Sequence, residues 1–380
     1  MKVALRNLIE IKSGYSPSTF ELMEAGTVPY VKVEDMNNCT KYQHKSREYC
    51  EDVDRSVPAG SIIFPKRGAA IMNNKVRITA IDICMDTNMM AIIPNEKIQS
   101  EFLYYTIIHE KLSRIADTST IPQINNKHIN PYKVALPPLP EQKAIADLLS
   151  TWDEAIEKTE RLVQAKEKRF KCYIQKLITL RCGSWPHIKP KEIFDTVTEK
   201  NFPDEELLSV TQNRGVIPRS MLEGRVMSPD GTTASYKLIK RGDFAISLRS
   251  FQGGIEYSNY QGIISPAYTV LRPKIELNND FYRLFFKSYI FIEKYLNLAV
   301  IGIRDGKQIS IPDFLSIKIP VPPLEEQKEI AEALTICQQE IDLLKQLAEK
   351  YKTQKRGLMQ KILSGEWRVE SEIVNQYTEA

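Results

Sequence analysis

Apolar and polar positions along this chain follow two rhythms. In two stretches the rhythm is that of a long helix. Ile145, Leu149, Trp152, Ile156, Val163, Phe170, Tyr173 and Leu177 recur at spacings built from fours and threes. Ile330, Leu334, Cys337, Ile341, Leu344, Tyr351, Leu358 and Ile362 do the same. This is a heptad seam and predicts coiled-coil helices. Pro137-Pro138 stops the run before the first helix, and Pro140 falls near its first turn, where a missing N–H costs nothing. Glu141 and, in the second stretch, Glu325-Glu326 place negative charge at the positive end of the helix dipole. No further glycine or proline follows until Gly183 and Gly357. Helices of about 40 residues would be about 60 Å long. They are expected to pack on each other, antiparallel, as a rod. Lys166 interrupts the first seam and Lys355 the second.

Elsewhere the rhythm is that of short strands between turns. Val28–Val33, Ser61–Phe64, Val76–Ile83 and Met89–Ile93 are strand candidates, followed by a helix over Glu101–Ile115. Leu207–Thr211, Phe244–Leu248 and Tyr268–Leu271 follow the same order, with a helix over Asp280–Leu296.

The two halves repeat. Leu136–Leu149 reads LPPLPEQKAIADLL and Val321–Leu334 reads VPPLEEQKEIAEAL, at an offset of 185 residues that holds through Gln175-Lys176 and Gln360-Lys361. Upstream, Gln123-Ile124 lies opposite Gln308-Ile309, and Val3 and Leu8 lie opposite Ile188 and Ile193. A match sustained over about six helical turns is not the chance likeness of two amphipathic helices. The chain divides into a variable region (1–135), a spacer helix (136–182), a second variable region (183–320), a second spacer helix (321–367) and a tail (368–380). Constant connectors between diverged modules suggest constant partners and variable targets.

Composition narrows the classes. The 380 residues are 42% hydrophobic and 26% charged, with a net charge of +4. That suits two globular domains and excludes an indiscriminate basic coat. No apolar run reaches membrane-spanning length, and Met1–Gly14 lacks the core of a signal peptide. Six scattered cysteines fit reduced thiols in a cytoplasm, and Cys39, His44 and Cys50 lack metal-site spacing. No metal site is expected. Pro312-Asp313 with Glu326-Gln327-Lys328 imitates a nuclease signature, but Asp313 aligns with His128 while Glu-Gln-Lys recurs at Glu141-Gln142-Lys143. Asn130-Pro131-Tyr132 lacks the second proline of an adenine-methyltransferase site, and phosphate-binding glycine loops are absent. The four histidines make no catalytic pattern with serine or cysteine. No catalytic residue is expected.

Basic residues gather in the variable regions, with asparagine and glutamine among them. Arginine and lysine suit phosphates and guanine edges, and asparagine and glutamine suit adenine edges. The candidates for nucleic-acid contact are Lys32, Lys45, Lys66, Arg67, Lys75 and Arg77 in the first region, and Arg214, Arg219, Arg249 and Gln252 in the second. The segment Phe64–Gly68 and its counterpart Ser247–Phe251 stand out, because glycines follow both basic groups.

Pro-Pro-Leu-x-Glu-Gln-Lys opening a long helix, twice, each time behind a variable region, resembles the specificity subunits of type I restriction–modification systems. GYSPS at Gly14–Ser18, PYVKVEDM at Pro29–Met36 and LLSVTQNRGVIP at Leu207–Pro218 look like openings of that family's target-recognition domains. The resemblance implies two α/β target-recognition domains separated by two long antiparallel coiled-coil helices, an internal tandem duplication. Each domain would read one half of a split site in double-stranded DNA, and the helices would set the gap. The chain itself would be non-catalytic and bind no cofactor. Two methyltransferase subunits using S-adenosylmethionine would dock on the helices, and ATP- and Mg-dependent restriction subunits would complete the complex. Gln142, Leu148, Trp152, Gln327 and Ala333 are the candidate docking residues. A related type II system, whose partner fuses methyltransferase and nuclease, and a protein-binding coiled-coil scaffold are the alternatives.

Overall fold

The computed structural model describes residues 2–119, 121–222, 233–247, 254–302 and 308–378. It falls into two compact units, Met1–Glu160 with Gln346–Ala380, and Arg161–Lys345. Each contains a variable region and parts of both long helices, which run over Leu139–Ile174 and Leu324–Leu363.

The first unit carries strands β1 (Lys2–Ala4), β2 (Ile9–Ser13), β3 (Val28–Val31), β4 (Tyr42–Gln43), β5 (Glu48–Cys50), β6 (Ile62–Pro65), β7 (Arg77–Thr79), β8 (Cys84–Met85), β9 (Met89–Pro94) and β10 (Lys133–Ala135). Its main sheet has the order β2-β9-β6-β7-β4, with β5-β3-β8 beside it. Strand β6 shows no polar alternation because both of its faces are covered. Ile62 and Phe64 enter the larger core with Phe102, Tyr105 and Ile145, while Ile63 enters a second cluster with Val31 and Ile83. Successive residues point to opposite faces of a strand, so one apolar run fills two cores. Strand β1 pairs with β10, Lys2 opposite Ala135, bringing the chain start to the entry of the first long helix.

The second unit repeats this plan with β11 (His187–Ile188), β12 (Phe194–Val197), β13 (Leu208–Thr211), β14 (Gly215–Pro218), β15 (Lys237–Ile239), β16 (Phe244–Ser247), β17 (Ile255–Tyr257), β18 (Gly262–Ile264), β19 (Tyr268–Pro273), β20 (Val300–Ile301), β21 (Gln308–Ile309) and β22 (Ile319–Pro320). Its main sheet has the order β12-β19-β16-β17. Phe244 and Ile246 enter an aromatic-rich core with Phe281, Phe285 and Leu334, and Ala245 faces the other side. Strand β11 pairs with β22 as β1 does with β10, at the same offset of 185 residues.

Within each unit the helix segments run antiparallel. In the first, Trp152 meets Tyr351 edge-on at 5.7 Å, Lys352 pairs with Glu160 at 2.8 Å, and Ile145 shares a core with Ile362. In the second, Lys166 pairs with Glu340 at 2.5 Å and Lys345 with Glu167 at 2.6 Å. Every seam position read from the sequence is buried or half-buried.

Three expected elements depart most from their patterns. Val76–Ile83 is a strand only over Arg77–Thr79. Beyond it the chain turns so that the Asp82 carboxylate accepts the Ala59 N–H, and Ile83 bridges to Val57. The helix expected over Glu101–Ile115 breaks at Lys111, whose φ is 65°. The Asn74 side chain bridges that break, donating to the Ile108 carbonyl and accepting the Leu112 N–H, both at 2.9 Å. The helix expected over Asp280–Leu296 is regular over Asn279–Phe285, then loosens where the Ser288 hydroxyl donates to the Phe285 carbonyl at 2.6 Å.

Candidate nucleic-acid interface

Lys66, Arg67 and Gly68 follow β6 directly, so a rigid central strand positions them. The Lys66 N–H donates to the Asn88 carbonyl at 2.8 Å, and the Lys66 carbonyl accepts the Ile124 N–H at 2.9 Å. Arg67 pairs with Gln123 in an antiparallel bridge. Gly68 turns the chain with a φ of 84°, a conformation that costs glycine least. Lys66 is half-buried, and burial together with neighbouring Arg67 lowers its pKa. Arg67 is exposed and has no ion-pair partner among the described residues. Two adjacent cations on a strapped loop suit an anionic ligand.

The other basic residues of this unit divide by partner. Lys75 donates to the Asn37 side chain at 2.8 Å, and the Arg77 guanidinium donates to the Cys39 and Val76 carbonyls at 2.9 and 2.7 Å. Both are spent on the unit's own groups, Lys75 also donating to the Val33 carbonyl at 3.4 Å. Lys32 pairs with Glu48, its ammonium 5.7 Å from the centre of the Tyr30 ring. Lys45 is exposed, and its carbonyl accepts the buried Gln43 amide at 2.6 Å. The Cys39 thiol donates to the same Gln43 side chain at 3.1 Å.

In the second unit Arg214 sits at the tip of the β13–β14 hairpin. The Thr211 hydroxyl accepts the Arg214 N–H at 3.1 Å, and the Arg214 guanidinium donates to the Met221 carbonyl at 2.8 Å. The hairpin is seated closely: a Cβ on Gly215 would lie 2.6 Å from the Tyr257 carbonyl oxygen. Lys287 reaches the hairpin from beneath, donating to the Gln212 carbonyl at 3.0 Å and pairing with buried Glu256. Burial raises the Glu256 pKa, with Lys287 opposing. Arg219 is half-buried, and its N–H donates to the Leu207 carbonyl at 3.1 Å. Arg249 and Gln252 lie outside the described residues.

The helix candidates need a correction. Gln142 and Gln327, expected on a docking face, are 1% and 2% exposed. The Gln142 side chain accepts the Gln99 N–H at 2.8 Å and donates to the Lys97 and Pro137 carbonyls at 3.1 and 2.9 Å. Gln327 accepts the Asn278 N–H and donates to the Pro322 carbonyl, both at 2.9 Å. A buried polar side chain that satisfies two or three backbone groups is a bolt between helix and domain, not a contact surface. Trp152 lies in the seam against Tyr351. Leu148 and Ala333, which occupy equivalent positions, are exposed.

The motif glutamates also do more than complement a dipole. Buried Glu141 accepts two guanidinium hydrogen bonds from Arg368 and the Val369 N–H. Its equivalent Glu326 pairs with Arg181 at 2.5 Å. In each unit the Glu-Gln-Lys glutamate fastens the segment that leaves the opposing long helix. Sequence reasoning missed these clasps because the partners are 227 residues apart in one case.

The same two-unit plan is visible to sequence comparison. The family model described as "Type I restriction modification DNA specificity domain" matches residues 1–167 and again residues 187–352. The chain belongs to the type I restriction–modification specificity family. Among curated relatives of this family, the putative type I restriction enzyme MjaX specificity subunit of Methanocaldococcus jannaschii is 28% identical over 75% of this chain and 72% of its own. The MjaVIII specificity subunit of the same organism is 27% identical over 76% and 75%. The fold of this specificity-family chain matches the S subunit of a type I system from M. genitalium, with a TM-score of 0.56, 17% identity, and 96% of each chain covered. A structure described under complex assembly and conformational transition of the type I R-M system matches with a TM-score of 0.60, 16% identity, and 97% and 98% coverage. Among the described residues no group of three or more His, Cys, Asp or Glu side chains is placed to hold a metal, and no helix is long and apolar enough to cross a membrane.

Proposed function

We propose that this chain is the DNA-reading subunit of a type I restriction–modification complex and performs no chemistry itself. Each unit contacts one half of a split double-stranded site. The Lys66–Arg67 loop serves the first unit and the β13–β14 hairpin, with Arg214 at its tip, serves the second. Arginine and lysine on such loops fix the protein on phosphates, and polar side chains between them reach base edges. Two linked readers on one chain bind cooperatively, because the second half-site is met at high effective concentration. The exposed helix positions Leu148 and Ala333 face two methyltransferase chains, which would use S-adenosylmethionine. Restriction chains requiring ATP and Mg would join the full complex. The working place is the cytoplasm, where host DNA is found.

The observation that carries this reading is the double match of the DNA specificity family, once on each variable region. The test is a map of methylated adenine in host DNA with the gene present and deleted. Deletion should erase one split motif. An unchanged map together with failure to capture a methyltransferase chain would refute it.

A further inference from the structure

In the first unit three elements converge on a groove of about 360 Å³. The long helix Leu324–Leu363 contributes Lys352, Lys355, Arg356 and Met359, which share one face at helical spacing. The opposing helix contributes Asp153 and Ile156, and the domain helix ends there with Ile108, His109 and Lys111. Most of the charge inside is spent. Lys355 pairs with Asp153, which also accepts the Tyr105 hydroxyl at 2.7 Å. Lys352 is held by Glu160 and Glu349, both at 2.8 Å. Lys111 and Arg356 are exposed, and no ion pair reaches either among the described residues. Ile108, Ile156 and Met359 supply an apolar wall.

The second unit builds the same groove from the equivalent residues, around about 260 Å³. Glu167, Phe170 and Lys171 stand for Lys352, Lys355 and Arg356, and Gln338 and Ile341 stand for Asp153 and Ile156. The rim ion pair returns with its signs exchanged, as Lys345 with Glu167 at 2.6 Å. Every other charge at these positions has changed. The Arg356 position alone keeps an exposed cation that no ion pair reaches among the described residues, Lys171.

A cation beside an apolar wall suits a sugar–phosphate backbone, which presents an anion next to a deoxyribose. A free phosphate would be held from one side only, because the lysines deeper in the first groove are committed to carboxylates. A phosphate within a duplex is already held elsewhere. In the first unit that other hold is close. The connection that begins at Arg67 leads to Asn74, whose side chain fixes the backbone of Ile108 and Leu112 around Lys111. Even fully extended, the chain from Arg67 to Asn74 spans at most about 25 Å. Duplex DNA offers a phosphate charge every ~1.7 Å along its axis, so one duplex can meet both places.

We propose that the groove in each unit holds backbone phosphate of the DNA duplex, on Lys111 and Arg356 in the first and on Lys171 in the second. The long helices are then DNA contacts themselves. The inference rests on the DNA-reading role above.

The test is salt-dependent binding of duplexes with and without the split motif, by the complex assembled with its methyltransferase chains. Arg356→Gln, Lys111→Gln and Lys171→Gln should each lower the salt slope by about 1 and weaken both duplexes alike, about eightfold at ~0.1 M salt. Thermal midpoints and methyltransferase capture should match wild type, because all three side chains are exposed. An unchanged slope for Arg356→Gln or for Lys171→Gln would overturn the proposal for that unit. A lowered slope for Arg67→Gln in the same assay would show the DNA-reading role intact. Weaker methyltransferase capture at an unchanged slope would make the groove a protein contact and overturn the proposal too. A wild-type complex that binds no duplex would remove both.

Discussion

Equivalent positions in the two units meet the same helix geometry with opposite chemistry. In the first unit Lys355 stands in the seam, paired with Asp153 and 5.0 Å from the centre of the Tyr105 ring. The Tyr105 hydroxyl donates to Asp153 at 2.7 Å, and Lys41 donates to Tyr105 at 3.1 Å and to Ser150 at 3.3 Å. Burial lowers the Lys355 pKa, with Asp153 opposing, and pushes the Tyr104 phenol up to about 12. In the second unit the residue equivalent to Lys355 is Phe170, and the residue equivalent to Asp153 is Gln338. Phe170 packs with Tyr173 and Leu177 against the core that holds Ile330 and Leu334. The duplicated helix therefore fixes spacing and direction but not polarity. A lysine is tolerated in the seam where its carboxylate comes with it.

The largest expected effect comes from moving one unit's solution into the other. Phe170→Lys replaces a half-buried ring packed on an apolar core with an amine whose nearby carboxylates, Glu340 and Glu167, are already paired with Lys166 and Lys345, and should cost about 2 kcal/mol in urea unfolding. Adding Gln338→Asp should recover about 1 kcal/mol, read as a coupling energy in a double-mutant cycle. A cost under about 0.5 kcal/mol for the single change would show that the two seams are interchangeable, against the comparison.

The two glutamine bolts should fail alike. Gln142→Ala and Gln327→Ala each leave a backbone N–H and at least one carbonyl unpaired, so each should lose about 2 kcal/mol. Complex formation at low temperature should survive, because neither residue is on the surface. Values that differ widely would mean the repeat shares sequence without sharing function at this position.

A smaller effect depends on pH. Hydrogen bonding from Arg368 lowers the Glu141 pKa below its ordinary 4.5. The stability this supplies is present above that ordinary value and is lost as pH falls through the depressed one. Arg368 is largely exposed, so solvent screening holds the contribution to about 1 kcal/mol. The Glu141→Gln variant should lose this part of the acid dependence, as measured by unfolding at a series of pH values below 5. An acid limb identical to wild type would mean the clasp adds nothing.

The smallest effect on stability should come with the largest effect on assembly. Leu148→Asp and Ala333→Asp alter exposed positions and should shift unfolding by no more than about 0.5 kcal/mol. Each should weaken capture of a methyltransferase chain. Normal capture by both variants would move the docking surface elsewhere on the helices.

Much of the architecture was legible because its signals are local. The seam from Ile145 to Leu177, the strands around Phe64 and Phe244 and the 185-residue offset all follow from short-range periodicity. The errors also have local causes. Asn74 and Ser288 end helices whose apolar pattern continues past them, because a side chain competing for backbone groups leaves no trace in hydrophobic spacing. Among the candidate site residues, charge alone could not separate Arg67, which projects, from Arg77, whose guanidinium is spent on carbonyls.

The duplication, the two long helices and the buried central strands follow from the order of residues, since periodicity and repetition are properties of the chain. Tertiary structure alone decided what Gln142, Glu141 and Lys355 do. The physical reason is distance along the chain: Gln142 bonds to the loop before the domain helix, Glu141 to Arg368, and Lys355 to Asp153. A polar residue inside a protein is defined by the partner that satisfies it, and folding chooses that partner.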